Sequence, residues 1–346
     1  MLSEKIIQTK KLLDITSMQK FDTHQMYKIY DEWPNIAKVS YETKFDPIDF
    51  KNLSHIVFAG MGGSGAINDI FSSIGASKIQ VSSIKGHILP RNVDSDTLVV
   101  ATSVSGNTVE TLTIFDSAKR SGSKIIAFSS GGQLQKYCNL HKIEYRNIPM
   151  IHSPRTSFAS FLYSMLHVLE KVIPIRKEEI LGSISQLQNL KKQISSSNLT
   201  ETNPALELAN WIRVIPLVYY PQGLYASAIR FKNSLQENAK SHVIVEEVGE
   251  ACHNGIVSWE TPSPIQPILM EGQDDHVQTK QRWKILKQYF EEKNIHYKEI
   301  FSVKGSLLSK LVNLNYLLDY STIYYAILHG TDPSPIKSTD FVKSRL

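Results

Sequence analysis

Short runs rich in valine and isoleucine recur along the chain, most of them followed by a segment of helix length. In the first half the runs are HIVFAG (55–60), KIQVSS (78–83), TLVVAT (97–102) and KIIAFS (124–129). In the second half they are VIPLVYY (214–220), HVIVEEV (242–248), PILMEG (267–272) and YKEIFSV (297–303). Apolar runs of this length that alternate with helices are typical of parallel strands covered on both faces. We therefore predict an α/β protein with two parallel sheets, each flanked by helices.

The length of 346 residues also fits two domains. Helical spacing of Ile6, Leu12 and Leu13, and then of Met26, Ile29 and Trp33 before Pro34, predicts N-terminal helices. We divide the chain into a first domain at 1–152, a helical connection at 153–203 and a second domain at 204–346. The same strand–helix order in both halves favours an ancient duplication.

Composition excludes several classes of protein. A hydrophobic fraction of 42% and a charged fraction of 21% are those of a packed globular chain. No apolar run reaches the roughly 20 residues that cross a bilayer, and the first residues lack a leader pattern, so we expect a cytoplasmic protein without membrane contact. The 38 basic and 33 acidic residues are interspersed, which argues against nucleic acid and favours a small anionic partner. Cys138 and Cys252 lack metal or redox spacing and are interpreted as reduced thiols.

The first loop that could bind a ligand is GMGGSG at 60–65, between a predicted strand and a predicted helix. A glycine-rich turn lets backbone N–H groups and the helix N-terminus approach an anion, so we predict a phosphate contact at Gly63 and Ser64. The loop also fits the dinucleotide pattern GxGxxG. However, the end of the next strand offers Ser82, Ser83 and Lys85 in place of the acidic residue that holds a ribose, which disfavours a nicotinamide cofactor. A glycine turn needed only for packing remains the alternative.

The second loop is SVSGNT at 103–108, which follows another buried strand. The hydroxyls of Ser103, Ser105 and Thr108 and the amide of Asn107 can supply several donors to one phosphate, with Thr108 also placed as a helix N-cap. Helix capping alone would account for Thr108 but not for the other polar side chains. Because ligands of open α/β sheets lie at strand ends, we expect the two loops to converge.

GMGGSG followed by SVSGNT resembles the sugar isomerase (SIS) family of phosphosugar-binding domains. From about residue 20 onward the chain is similar to the bifunctional phosphoglucose/phosphomannose isomerases, which have two tandem SIS domains. The segments that carry this resemblance are SPRTSF, FKNSLQENAK, ACHNGIVSWE and HGTDPSPIKSTDFVKSRL. The resemblance implies two αβα SIS domains with parallel sheets, flanked by N-terminal and C-terminal helices.

The resemblance also implies roles for individual residues. Glu237 in QENAK matches the glutamate that moves a proton between C2 and C1, although on composition alone Glu246, Glu247 and Glu250 compete for a carboxylate role. His253 matches the histidine that opens the sugar ring and reaches the site from the partner subunit of a homodimer. Histidine suits this task because its unperturbed pKa lies near 6.5.

Three further residues complete the implied site. Arg155 in SPRTSF would stabilise the negative charge of the enediolate. Ser334 in DPSP stands where the family usually has threonine, a residue associated with handling the mannose epimer. Lys343 matches the near-terminal lysine of the family's active site.

The expected function is the metal-free isomerisation of glucose 6-phosphate and mannose 6-phosphate to fructose 6-phosphate, without a redox cofactor. One rival is the isomerase half of a glucosamine 6-phosphate synthase, which needs an N-terminal cysteine where this chain has Leu2. The other is a regulator that binds phosphosugars without converting them. Such a protein would need the two loops but not Glu237 and His253 together.

Overall fold

The computed structural model describes residues 13–75 and 79–345. The strands in this part of the chain form a five-stranded sheet, in the order β2-β1-β3-β4-β5, and a four-stranded sheet, in the order β7-β6-β8-β9, and all pairings are parallel. The strands are β1 (His55–Ala59), β2 (Gln80–Ile84), β3 (Thr97–Thr102), β4 (Lys124–Ser129), β5 (Glu144–Asn147), β6 (Ile215–Tyr220), β7 (Ile244–Glu247), β8 (Ile265–Glu271) and β9 (Lys298–Phe301). The predicted α/β architecture is therefore confirmed.

Helices precede, connect and follow these strands. They are α1 (Ile15–Phe21), α2 (Met26–Asp31), α3 (Trp33–Tyr41), α4 (Gly62–Gly75), α5 (Val109–Arg120), α6 (Gly132–His141), α7 (Phe158–Val168), α8 (Lys177–Ile194), α9 (Pro204–Trp211), α10 (Tyr225–Ala239), α11 (Val248–Ala251), α12 (Val277–Glu292), α13 (Leu307–Leu328) and α14 (Lys337–Lys343). The helix predicted around Ile6 and Leu12 lies outside the described residues. Pro34 occupies the first turn of α3, where a missing N–H costs nothing.

One large core lies between the two sheets. In β1, Ile56 and Phe58 face this central core while Val57 and Ala59 face a smaller core on the outer side. In β6, Val218 faces the same central core and Tyr219 the outer core of the second sheet. This alternation follows from the two-residue period of a strand and explains why both faces are apolar.

Helices fill the space between the sheets. The central helix α13 is buried along most of its length, and α7 and α8, from the predicted connection, contribute Phe161 and Leu187 to the central core. The strand order of the second sheet repeats that of the first four strands of the first sheet, as expected for a duplicated unit.

The sequence analysis missed β5, whose residues EYRN carry no apolar run. β5 is an edge strand, and its four residues are only partly buried or exposed. An edge strand is covered less than a central one and can therefore be polar; the other edge strands, β2, β7 and β9, keep an apolar run, whereas EYRN does not.

Candidate active site

The two predicted phosphate loops lie side by side at one end of the first sheet. β1 and β3 are adjacent, while the chain leaves β1 toward β2 on one side and leaves β3 toward β4 on the other. Such a change of direction opens a crevice beyond the carboxyl ends of the two strands. GMGGSG follows β1 and SVSGNT follows β3, so both loops lie at this crevice.

Glycine is required where GMGGSG turns into α4. Gly62 has a φ of +53°, and a Cβ atom at Gly60 would lie 2.7 Å from the carbonyl oxygen of Thr102. The tight turn brings Gly63 and Ser64 into the first turn of α4, where backbone N–H groups have no partner within the helix. The loop is therefore shaped to receive an anion.

Hydroxyl groups of SVSGNT are linked beneath the loop surface. Ser103 is buried, and its Oγ lies 2.9 Å from Thr108 Oγ1 and accepts a hydrogen bond from the Gly106 N–H at 3.1 Å. Thr108 occupies the N-cap position of α5 as predicted, but its side chain makes no capping hydrogen bond. Ser105 is exposed. The amide oxygen of Asn107 instead accepts from the Gln133 N–H at the start of α6.

One hydrogen bond joins the two loops. Ser64 Oγ accepts from the backbone N–H of Val104 at 3.2 Å. Ser64 is buried, so this contact fixes the distance between the start of α4 and the SVSGNT loop. The expected convergence of the loops is confirmed in the geometry.

A cleft of about 620 Å³ opens above the loops. Its walls combine the two loops, the segment that precedes α7, the end of α10 and the C-terminal helix α14. The lining residues are Met61, Gly62, Gly63, Ser64, Val104, Ser105, Asn107, Thr108, Val109, Glu110, Pro154, Arg155, Glu237, Ile336, Thr339, Val342 and Lys343. Ser103, Ser334 and His253, predicted from the sequence, are not among them.

Arg155 is held rigidly at the base of the cleft. It is buried, its Nε donates to Asn238 Oδ1 at 2.8 Å, and Nη2 donates to the carbonyl oxygens of Pro333 at 2.7 Å and Ser334 at 2.8 Å. Its own carbonyl oxygen accepts from Arg230 Nη2 at 3.0 Å. Hydrogen bonds from distant parts of the chain therefore fix both the backbone and the side chain.

Glu237 is the carboxylate that meets Arg155. Its Oε2 lies 3.6 Å from Arg155 Nη1, and about a third of its side chain is exposed. The competing carboxylates Glu246, Glu247 and Glu250 do not line the cleft. Burial and the neighbouring Glu250 raise the pKa of Glu246. Only Glu237 of these four thus lies beside both the arginine and the phosphate loops.

The C-terminal segment carries the two remaining predicted residues. Lys343, the last residue of α14, lines the cleft, as the resemblance implied. Ser334 lies behind Arg155: its carbonyl oxygen accepts from the arginine, and its Oγ is buried without a partner in the described part of the chain. The serine side chain therefore does not reach the cleft surface in this conformation.

His253 lies apart from the cleft of its own chain. It is exposed, follows α11, and donates its backbone N–H to the carbonyl oxygen of Glu250 at 2.9 Å. The histidine predicted from the sequence therefore does not line the cleft of its own chain.

Sequence reasoning missed two residues next to Glu237. Asn238 is fully buried against Arg155, and Lys240 Nζ donates to the carbonyl oxygens of Glu237 and Asp332 at 3.0 and 2.8 Å. Burial and the nearby Arg155 lower the pKa of Lys240 to about 8. Both residues belong to the QENAK segment, but the sequence alone does not record their contacts with Arg155 and Asp332.

Within residues 13–75 and 79–345, no group of three or more His, Cys, Asp or Glu side chains is arranged to hold a metal ion. In the same ranges no helix is long and apolar enough to span a bilayer.

Comparison with known proteins gives the family. Residues 201–346 match the family model of the bacterial phospho-glucose isomerase C-terminal SIS domain. A bifunctional phosphoglucose/phosphomannose isomerase of Caldicellulosiruptor bescii is 31% identical over 333 residues, covering 93% of this chain and 96% of the relative. Its namesake from Aquifex aeolicus is 30% identical and covers 93% of this chain and 98% of the relative.

Two further proteins are less similar to this chain. A D-glucosamine-6-phosphate 4-epimerase of Sulfolobus acidocaldarius is 29% identical over 232 residues, covering 67% of this chain and 72% of the relative. The crystal structure of a glucose-6-phosphate isomerase like protein from Thermus thermophilus matches with a TM-score of 0.65 at 14% identity, covering 97% of this chain and all of that one. The fold, the loops and the identity over nearly the whole length agree, and the chain is an isomerase that belongs to the bifunctional phosphoglucose/phosphomannose isomerase family.

Proposed function

We propose that this protein interconverts glucose 6-phosphate or mannose 6-phosphate with fructose 6-phosphate. The observation that carries the proposal is one cleft that combines two phosphate-type loops with Arg155 and Glu237, 3.6 Å apart. The names of the relatives from Caldicellulosiruptor bescii and Aquifex aeolicus support these substrates.

In this proposal the substrate phosphate occupies the end of the cleft formed by the loops. The N–H groups at Gly63 and Ser64, the hydroxyls of Ser105 and Thr108 and the N-termini of α4 and α5 supply the donors. Ser103 supports the phosphate site indirectly, because its hydroxyl contacts the hydroxyl of Thr108. Lys343 adds a positive charge from α14.

Proton transfer is assigned to Glu237. Its carboxylate removes the proton from C2 of the open-chain aldose, the electrons of that C–H bond form a C1–C2 double bond, and a cis-enediol forms in its anionic, enediolate state, with the charge on the C1 oxygen. The hydroxyl proton of the C2 oxygen then passes to the C1 oxygen, Glu237 delivers a proton to C1, and the C2 oxygen becomes the ketose carbonyl. Arg155 Nη1 stabilises the negative charge of the intermediate. C1 of the sugar is reduced while C2 is oxidised, so the step needs no external electron donor or acceptor.

Ring opening and epimer handling complete the proposal. We assign ring opening to His253 of a second copy of the chain, in a homodimer, because its exposure outside its own cleft fits a donated residue. Ser334 is proposed to govern the use of the mannose epimer through its side-chain hydroxyl, which lies behind Arg155 and has no partner in the described part of the chain.

A coupled assay for fructose 6-phosphate tests the proposal. Both aldose phosphates should be converted, and EDTA should leave the rate unchanged. Binding of both sugars without turnover would instead identify a phosphosugar-sensing regulator. Conversion of an amino sugar phosphate to its C4 epimer, without fructose 6-phosphate, would place the protein with its Sulfolobus acidocaldarius relative.

A further inference from the structure

The guanidinium group of Arg155 has one end occupied and one end free. Nε–H is used by Asn238, and the two hydrogens of Nη2 are used by the carbonyl oxygens of Pro333 and Ser334. Nη1 makes no hydrogen bond within the described residues, and its contact with Glu237 at 3.6 Å is longer than a hydrogen bond. Two of the five N–H donors therefore remain available to a ligand in the cleft.

Asn238 determines which end is free, and its own orientation is fixed. Its Nδ2 donates to Thr322 Oγ1 at 2.9 Å, and Thr322 Oγ1 donates to the carbonyl oxygen of Asp319 at 2.6 Å. Because the single hydroxyl hydrogen of Thr322 points to that carbonyl, the hydroxyl offers only a lone pair to the amide. The NH₂ group of Asn238 must face Thr322, and its Oδ1 must face Arg155 Nε.

The burial of this network makes a rearrangement costly. Asn238 and Thr322 are fully buried, so an amide turned the other way would leave buried donors facing each other. Asn238 also follows Glu237 directly on α10, and neighbouring helix residues point about 100° apart. The same helix therefore presents the carboxylate to the cleft and the amide to the arginine beneath it.

We infer that Asn238 is a positioning residue, which holds the Arg155 guanidinium so that Nη1 faces the reacting carbons. The inference rests on the proposed function for its kinetic consequence. Loss of Asn238 should lower kcat, because the arginine acts on the developing charge, and should leave KM nearly unchanged, because the phosphate loops are untouched.

Asn238→Ala is the main variant, compared with Asn238→Asp and Asn203→Ala. We expect Asn238→Ala to lower kcat by about tenfold or more, short of the roughly 10²- to 10³-fold cost of losing an electrostatic donor outright. Asn238→Asp keeps an acceptor for Nε but sets its second carboxylate oxygen against the Thr322 lone pair, so it should recover part of that loss. Asn203 is an equally buried asparagine that caps α9, so Asn203→Ala should lower the melting temperature without lowering kcat.

A double-mutant cycle separates positioning from a general structural role. In an Arg155→Met background, Asn238→Ala should cause no further fall in kcat, since nothing remains to be positioned. Equal losses of kcat in both backgrounds, or a normal kcat for Asn238→Ala, would overturn the inference. If Asn238→Ala fails to fold, Thr322→Val can replace it, because this variant removes only the group that orients the amide. We then expect a lower kcat at unchanged KM. A normal kcat in Thr322→Val would overturn the inference.

Binding measurements make the test independent of turnover. A five-carbon aldonic acid phosphate carries a carboxylate where the enediolate charge develops, and inorganic phosphate occupies only the loops. Asn238→Ala should weaken binding of the aldonic acid phosphate and leave that of inorganic phosphate unchanged; equal weakening of both would overturn the inference. If the wild-type protein binds both probes but converts no aldose, the proposed function fails while the role of Asn238 is still decided.

Discussion

The hydroxyl oxygen of Ser103 lies 2.9 Å from that of Thr108, across the turn of the SVSGNT loop. Ser103 is buried and Thr108 lines the cleft, and either hydroxyl can donate this hydrogen bond. When Ser103 donates, the Thr108 hydrogen is free to point outward. A loop organised in this way presents a preoriented donor to an anion.

Thr108→Val should therefore weaken the binding of both sugar phosphates equally. The phosphate is common to the two substrates and remote from C2, and a lost charge-assisted hydrogen bond costs about 1.5 to 3 kcal/mol. Steady-state kinetics should show a higher KM at a similar kcat, with Ser105→Ala behaving alike. Thr113→Val, on the exposed face of the same helix, serves as the control. A fall in kcat at normal KM would contradict the phosphate assignment.

Ser334→Ala should reduce turnover of mannose 6-phosphate several-fold more than that of glucose 6-phosphate. The carbonyl oxygen that accepts from Arg155 remains, while the side chain proposed to influence the C2 epimer is removed. The Ser334 hydroxyl is buried without a partner, so its loss should not lower the melting temperature. Ser334→Thr should keep both activities. Equal loss of both activities in Ser334→Ala would remove this residue from the specificity site.

Subunit complementation tests the role of His253. If His253 enters the partner's cleft, a heterodimer of Glu237→Gln with His253→Ala collects both defects in one site and leaves the other site intact. Random reassortment makes half of the dimers mixed, each with one good site of two, so roughly a quarter of wild-type activity should return. Co-expression is required because a large interface does not exchange on mixing. Inactive heterodimers built from folded parents would show that His253 does not act across the interface.

Local patterns in the sequence were sufficient for most of the fold. The Val- and Ile-rich runs predicted all the strands except β5. A strand buried on both faces must be apolar throughout its length, which explains the central strands, and the edge strands β2, β7 and β9 keep enough apolar residues to be recognised. The glycines of GMGGSG identified the first loop for an equally local reason, since a positive φ at Gly62 and the close approach of Thr102 at Gly60 restrict the side chain there.

Contacts between distant segments could not be predicted in this way. Arg155 meets Asn238 and Pro333 through the packing of α10 and the C-terminal segment, and no spacing in the sequence records that packing. A local side-chain orientation was not predictable either: the sequence predicted Ser103 as a direct phosphate ligand, whereas its hydroxyl turns toward Thr108 inside the loop.

The buried His55 gives the fold a defined response to acid. His55 is 3% exposed, its Nδ1 has no partner in the described part of the chain, and burial lowers its pKa. The unfolded chain therefore binds this proton more readily than the folded one. The stabilising contribution is complete above about pH 6.5 and is lost as pH falls through the lower pKa of the folded state.

His55→Gln should flatten this dependence. Urea unfolding at pH 7.5 and pH 5 should show that the free energy of unfolding falls more for the wild type than for the variant. His87→Gln, an exposed histidine, controls for the substitution. Parallel losses in the wild type and His55→Gln would contradict the assignment.

Proton NMR of the reaction in D₂O tests the central claim most directly, with wild type, Glu237→Gln and Glu250→Gln compared on glucose 6-phosphate and mannose 6-phosphate. A base that moves a proton through an enediol predicts fructose 6-phosphate from both sugars, with solvent deuterium entering at C1 of the ketose and at C2 of the recovered aldose. Glu237→Gln should slow both conversions by roughly 10²- to 10⁴-fold, and Glu250→Gln, outside the cleft, should slow neither. No fructose 6-phosphate from either sugar, deuterium at a carbon other than C1 of the ketose or C2 of the aldose, or normal rates in Glu237→Gln would contradict the account.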